Sequence, residues 1–180
     1  MISDFVKGKR KFDYPQRILQ GITLHRIIDT FTDEHQATRK AKEFFRDDYR
    51  LYSGAFIDVA YDHFLAIDET EFPESSLFTF SQAVYATLEK YTRWLPEPFA
   101  LLFPYMKNHN WLFNYRTLIG TERSFGGIVR RSAYLAESDT ATRLFEKHYQ
   151  PLQQLYRQFW QDLKPFARRQ FELLMTENNS

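Results

Sequence analysis

Apolar residues recur at three- and four-residue spacings along nearly the whole chain, the period of an amphipathic helix. Ile18, Ile22, His25 and Asp29 step by 4, 3 and 4 and share one face of a helix from about Pro15 to Phe31, with Pro15 suited to its first turn. Asp33 is placed to cap a second helix, Glu34 to about Arg46. A third runs from about Ser53 to Ala66, and Phe80, Val84, Leu88, Tyr91 and Leu95 mark a fourth, closed by Pro96. Shorter helices are expected over Glu97 to Lys107 and Phe125 to Ala136. Leu152, Leu155, Tyr156, Phe159, Leu163 and Phe166 form the stripe of a C-terminal helix, and Pro104, Pro151 and Pro165 are expected to break or kink the pattern. No stretch alternates as a strand does. With glycine and proline scattered and no repeat or linker, the chain reads as one all-α domain over residues 1–180.

Histidines and aspartates interrupt these apolar faces. His25 and Asp29 sit four apart, as do Asp58 and Asp62, so each pair emerges from one side of its helix one turn apart. His63 follows Asp62 directly, between Tyr61 and Phe64. Carboxylates and imidazoles on an inward face are costly unless they pair or bind a cation, and a mixed nitrogen and oxygen set suits Mn, Fe or Zn better than Ca. Taken singly, His25–Asp29 could be a helix-stabilising pair and Asp58 a solvated carboxylate near a helix start. Two such pairs on different helices argue together for a metal or acid–base site. His35 reads as a solvated first-turn residue, His109 as part of an Asn-His-Asn turn, and His148 as a helix-surface residue.

Composition narrows the chemistry. The chain has no cysteine, which removes disulfides, thiolate metal sites and cysteine nucleophiles and fits a reducing compartment. Its 24 basic and 23 acidic residues nearly cancel, so bulk charge names no partner and nucleic acid is disfavoured. No apolar run has the length of a membrane span and Met1-Ile2-Ser3-Asp4 is no secretory signal, so the expected location is the cytoplasm. Aromatic residues are 18% of the chain, a supply of large apolar surface for a core.

Four ordered segments carry a resemblance: Asp4-Phe5-Val6-Lys7-Gly8, Gly21 through Asp29, Thr32-Asp33, and Asp58-Val59-Ala60-Tyr61-Asp62-His63-Phe64-Leu65. With looser agreement at Trp111–Tyr115 and Gly126–Arg131, the chain resembles the acyl carrier protein phosphodiesterases. The resemblance implies a helical fold distantly related to the HD-type phosphohydrolases, around a divalent metal, commonly Mn²⁺, with Mg²⁺ or Fe²⁺ as alternatives. It implies Asp4, His25, Asp62 and His63 nearest the metal, and Asp29 and Asp58 as further ligands or as groups that orient them. Members of the family begin with a further segment of about twenty residues, enough for one helix, ahead of the Asp-Phe-Val motif, whereas here Met1 falls almost on that motif.

The implied reaction is hydrolysis of the phosphodiester that joins 4′-phosphopantetheine to a serine of holo acyl carrier protein. Asp58 or His25 would be the proton donor to the departing serine oxygen. Such carrier proteins are acidic, and Lys7, Lys9, Arg10, Lys11 and Arg17 form a basic cluster directly after Asp4 that could dock one. The competing readings are an HD-like phosphohydrolase acting on nucleotides or small phosphoesters, and a non-catalytic module that binds carrier protein.

Overall fold

Proline 15 opens the first helix, its fixed φ pre-setting the turn, and α1 runs Gln16–Glu34. The computed structural model describes residues 2–74 and 76–176. Because α1 continues past Phe31, Asp33 lies inside it and cannot cap the next helix. His35 takes that place: its ring Nδ1 accepts the Ala37 N–H at 3.2 Å, and α2 is Gln36–Tyr49. His35 also packs edge-on against Phe159 and meets Asp162 at 3.1 Å, so it is a half-buried capping residue and not a solvated one. The remaining helices are α3 Ser53–Ala66, α4 Ser76–Lys90, α5 Glu97–Asn108, α6 Trp111–Asn114, α7 Leu118–Arg131, α8 Asp139–Lys147 and α9 Tyr149–Thr176. No strand occurs among the described residues, and the all-α class holds.

Two of the three expected proline breaks do not occur, and only Pro151 follows a break, between α8 and α9. Pro104 lies inside α5 and Pro165 inside α9, while Pro151 sits in the first turn of α9, where its missing N–H would have no helical partner anyway. Phe99, Phe103 and Met106 are buried on either side of Pro104, and packing holds that helix through the interruption.

Two apolar clusters organise the chain. The larger centres on α3, whose Phe56, Ile57, Ala60 and Phe64 meet Phe45 of α2, Phe125 of α7, Phe145 of α8 and Tyr156 of α9. Its rings interlock: Phe45 stacks on Phe56 at 5.9 Å, and Phe56 meets Phe125 edge-on at 5.3 Å. Such pairs add about 0.5–1.5 kcal/mol each beyond their area. The smaller cluster joins Tyr85 of α4 to Phe99, Phe103 and Met106 of α5, and Ile2, Phe5 and Trp111 pack against it. The N-terminal turn Ser3–Phe5 is therefore anchored on the small cluster, whereas α1 and α3 belong to the large one. Arg26 of α1 ties the two together by donating to the backbone carbonyls of Val6 and Gly8. Gly8 has φ +55°, a left-handed conformation that lets the chain turn directly after that clamp. No helix among the described residues is long and apolar enough to cross a membrane.

The junction of α6 and α7 is tight. Thr117 caps α7 by accepting the Gly120 N–H at 3.0 Å, and a Cβ placed on Gly120 would fall 1.9 Å from the Asn114 carbonyl oxygen. Neither partner is a flexible side-chain tip, so one helix would have to move. Gly120→Ala is expected to destabilise the fold by at least about 2 kcal/mol, a fall in melting temperature of roughly 4–8 °C. Thermal denaturation followed by circular dichroism checks this, and an unchanged midpoint would show that the junction is loose.

Candidate functional site

Asp4, His25 and Asp29 converge where the N-terminal turn crosses α1. The His25 ring places Nδ1 2.8 Å from Asp29 Oδ2 and Nε2 3.9 Å from Asp4 Oδ1. A carboxylate can only accept, so in neutral His25 the proton sits on Nδ1 and points at Asp29, leaving the Nε2 lone pair turned toward Asp4. This is the arrangement in which a carboxylate orients a histidine for a metal. One ligand atom from each of the three residues lies within 4.8 Å of the others. Two ligands of one ion at metal distances of about 2.0–2.4 Å are no further apart than that. His25 Nε2 and the Asp4 carboxylate could hold a divalent cation, with Asp29 behind the ring.

Asp58 and Asp62 extend the site along α3. Asp58 feels the charges of Asp33, Asp29 and Asp4, opposed by Lys42, and Asp62 in turn feels Asp58. Water reaches both carboxylates, but protein crowds them on most sides of an open recess. That loss of solvation, followed by like-charge repulsion, pushes Asp58 up to about 6 and Asp62 up to about 7. The expected inward direction of this pair is thus corrected: the face of α3 that carries them opens to the recess, and the opposite face is the buried one. Lys42 is the local counter-charge, 2.8 Å from Asp33.

His63 is turned away from this group. Its side chain is buried, with Nδ1 2.7 Å from the Tyr115 carbonyl and Nε2 2.9 Å from the Tyr149 hydroxyl. The carbonyl requires Nδ1 to donate, so Nε2 accepts from Tyr149, and no ring nitrogen is left over for an ion. Phe64, Phe145 and Tyr149 surround the ring, and burial lowers its pKa. The structure thus gathers Asp4, His25 and Asp29, brings Asp58 within range of the Asp4 and Asp29 charges and Asp62 within range of Asp58, and assigns His63 to the core. Consecutive helical residues diverge by about 100°, so Asp62 and His63 cannot serve one side of α3 equally.

The basic residues flank the trio. Lys7, Lys9, Arg10 and Lys11 lie on the turn Gly8–Asp13 and the residue before it, and none forms an ion pair with a described carboxylate. Arg17 instead reaches the Met175 sulfur at the end of α9. Sequence reasoning missed Lys42 and Tyr115. Tyr115 binds both neighbours at the end of α3: its carbonyl takes His63, and its phenol engages Asp62 and Ser124. The looser similarity at Trp111–Tyr115 was the available signal for it.

The raised carboxyls set a pH dependence in the metal-free protein. A carboxyl whose folded pKa exceeds its unfolded value favours folding below the unfolded value of about 3.9 and loses that contribution as pH rises through the folded one. For Asp62 the window runs from about 4 to about 7. Asp62→Asn should therefore raise the melting temperature of the metal-free protein at pH 8 by roughly 2–4 °C, about 1 kcal/mol once the screening water around it is allowed for. The gain should vanish below pH 4, and a gain of equal size at both ends would rule out relief of charge as its cause.

A profile of the acyl carrier protein phosphodiesterase family matches residues 1–163. Among similar proteins, one from Yersinia pestis is 32% identical over 161 residues, covering 89% of this chain and 83% of its own length. One from Photorhabdus laumondii is 29% identical, covering 89% and 81%. A third, from Pectobacterium atrosepticum, is 29% identical over 171 residues, covering 94% and 89%. All three are named acyl carrier protein phosphodiesterase. No solved structure matches the chain. The ordered motifs that hold Asp4, His25, Asp29, Asp58 and Asp62 thus lie inside a match that spans nearly the whole molecule, and the chain belongs to the acyl carrier protein phosphodiesterase family.

Proposed function

We propose that this chain hydrolyses holo acyl carrier protein to apo carrier protein and 4′-phosphopantetheine, using a divalent metal held by Asp4 and His25 with Asp29 behind the histidine. The observation that carries this reading is the convergence of the three side chains in a member of this family. A bound divalent cation supplies a water of lowered pKa and neutralises phosphoryl charge. The chain's own residues do the rest. Asp29 fixes the His25 ring, and Asp62 feels the charge of Asp58 along the same face of α3. Water adds to phosphorus, the bond from phosphorus to the serine oxygen breaks, and that oxygen takes up a proton. Asp58, which feels the charges of Asp29 and Asp4 and whose carboxyl is pushed up to about 6, would hold that proton.

Turnover of holo carrier protein with and without metal tests the reading. A chelator should abolish release of 4′-phosphopantetheine and added Mn²⁺ should restore it. His25→Ala should be inactive at every metal concentration, whereas Asp29→Asn should need about 10–100 times more Mn²⁺ and then recover, as expected when only the support of a ligand is lost. Undiminished turnover in chelator, or in His25→Ala, would overturn the metal assignment. Hydrolysis of nucleotides alone would favour the HD-like alternative.

The docking role of the basic turn is a separate part of the proposal. It rests on four cations, Lys7, Lys9, Arg10 and Lys11, left without carboxylate partners beside Asp4. Lys9→Glu combined with Arg10→Glu should raise KM for holo carrier protein about tenfold, ~1.4 kcal/mol, with kcat nearly unchanged. Salt should weaken the wild type and narrow the gap, because exposed charges are screened over roughly 8–10 Å at physiological ionic strength. An unchanged KM would move the docking surface elsewhere.

A further inference from the structure

A second feature adjoins the acidic recess. Between α5, α6 and α7 lies a cleft of about 460 Å³, well within the range of roughly 300–1,000 Å³ typical of small-ligand sites. One wall is apolar and aromatic, from Val59 of α3, Leu102 and Tyr105 of α5, and Trp111 of α6. The other is a single face of α7, where Gly120, Arg123, Ser124, Gly127, Arg130 and Arg131 recur at helical spacing. The small residues leave the floor open, and the guanidinium groups of Arg130 and Arg131 lie across Gly127, where a Cβ would meet them at 3.7 and 3.5 Å. Neither these two nor Arg123 forms an ion pair with a carboxylate among the described residues.

The cleft and the recess share a wall. Val59 lines the cleft and follows Asp58 on α3, about 100° further round the helix. Tyr115 also lines the cleft, and its phenol meets the Asp62 carboxylate while feeling the charge of Arg131. At that point acidic side chains give way to arginines within one residue's reach. A ligand with an anionic group at the boundary and a neutral chain of alternating alkyl and amide units beyond it would satisfy both surfaces. The anion would meet the Arg131 fork, amide oxygens would accept from guanidinium and side-chain donors, and alkyl segments would lie on Leu102 and Trp111.

We propose that this cleft seats the 4′-phosphopantetheine arm, with Arg131 binding its phosphate at the Tyr115 boundary; the inference rests on the reading of the substrate given above. The arm thus points away from the acidic trio along α7, and the carrier protein remains on the side of the basic N-terminal turn.

Equilibrium binding to the full-length, metal-free protein tests this without relying on turnover. Free 4′-phosphopantetheine should bind saturably in titration calorimetry. Pantetheine lacking the phosphate and adenosine monophosphate should each bind at least tenfold more weakly. Arg131→Gln should weaken 4′-phosphopantetheine binding at least tenfold, and Arg131→Lys should recover part of it, with circular dichroism confirming that both fold. Leu102→Trp, which fills the apolar wall, should weaken the phosphorylated and the dephosphorylated ligand alike. Equal binding by wild type and Arg131→Gln, equal affinity for pantetheine and its phosphate, preference for the nucleotide, or no saturable binding would each overturn the assignment. Arginine-dependent binding in a protein that fails to cleave holo carrier protein would retain the cleft and reject the reaction. Cleavage with unaltered binding in Arg131→Gln would do the reverse.

Discussion

Five aspartates have to be held close enough to feel one another's charge. Asp4 comes from the N-terminal turn, Asp29 and Asp33 from α1, and Asp58 and Asp62 from α3. The charges of Asp33, Asp29 and Asp4 raise the cost of ionising Asp58, and the charge of Asp58 does the same to Asp62. The local remedies are few. Lys42 neutralises part of the charge near Asp33 and Asp58, and His25 lies between Asp29 and Asp4. The remainder of the cost falls on the packing, which is why the site is bracketed by two separate apolar clusters and clamped by Arg26.

The packing that resists the repulsion is concentrated behind α3. His63 is its fastening point. Burial lowers the pKa of the imidazole, and its two nitrogens, one donating and one accepting in the neutral ring, join α3 to the end of α6 through Tyr115 and to α9 through Tyr149. The aromatic rings around it leave little freedom for α3 to rotate. Rotation of α3 would carry Asp58 and Asp62 out of the recess, so a residue with no contact to the acidic group sets its geometry. Tyr115 reinforces this by gripping Asp62 with its phenol while its carbonyl holds His63.

Charge is partitioned across the molecule with the same economy. Acidic side chains fill one recess, three arginines without an ion pair among the described residues line the adjoining cleft, and Lys7, Lys9, Arg10 and Lys11 cover the N-terminal turn. The near-zero net charge conceals this separation entirely. A phosphodiester between an acidic protein and a neutral arm needs a cation at the phosphorus, positive charge at the phosphate oxygens, and positive charge toward the protein. Under the proposals above, these demands fall to the acidic recess, the arginine cleft and the basic turn in that order.

Helical periodicity alone determined the all-α class, α3 to the residue, α5 to within one, and the two i,i+4 pairs His25–Asp29 and Asp58–Asp62, because each depends on spacing within a single helix. The ordered motifs likewise identified the family. What lay beyond reach were choices made between helices. The sequence places Asp62 and His63 side by side, and only the positions of Tyr115 and Tyr149 decide that the imidazole turns inward and the carboxylate outward. Asp33 looked like a cap until α1 ran through it, since the end of that helix is set by His35 docking on Phe159 and Asp162. The prolines in α5 and α9 failed to break their helices because burial of the flanking residues outweighed a local defect. The arginine cleft was invisible for the same reason: Arg123, Arg130 and Arg131 read as ordinary helix charges until α5 and α6 supply the opposite wall.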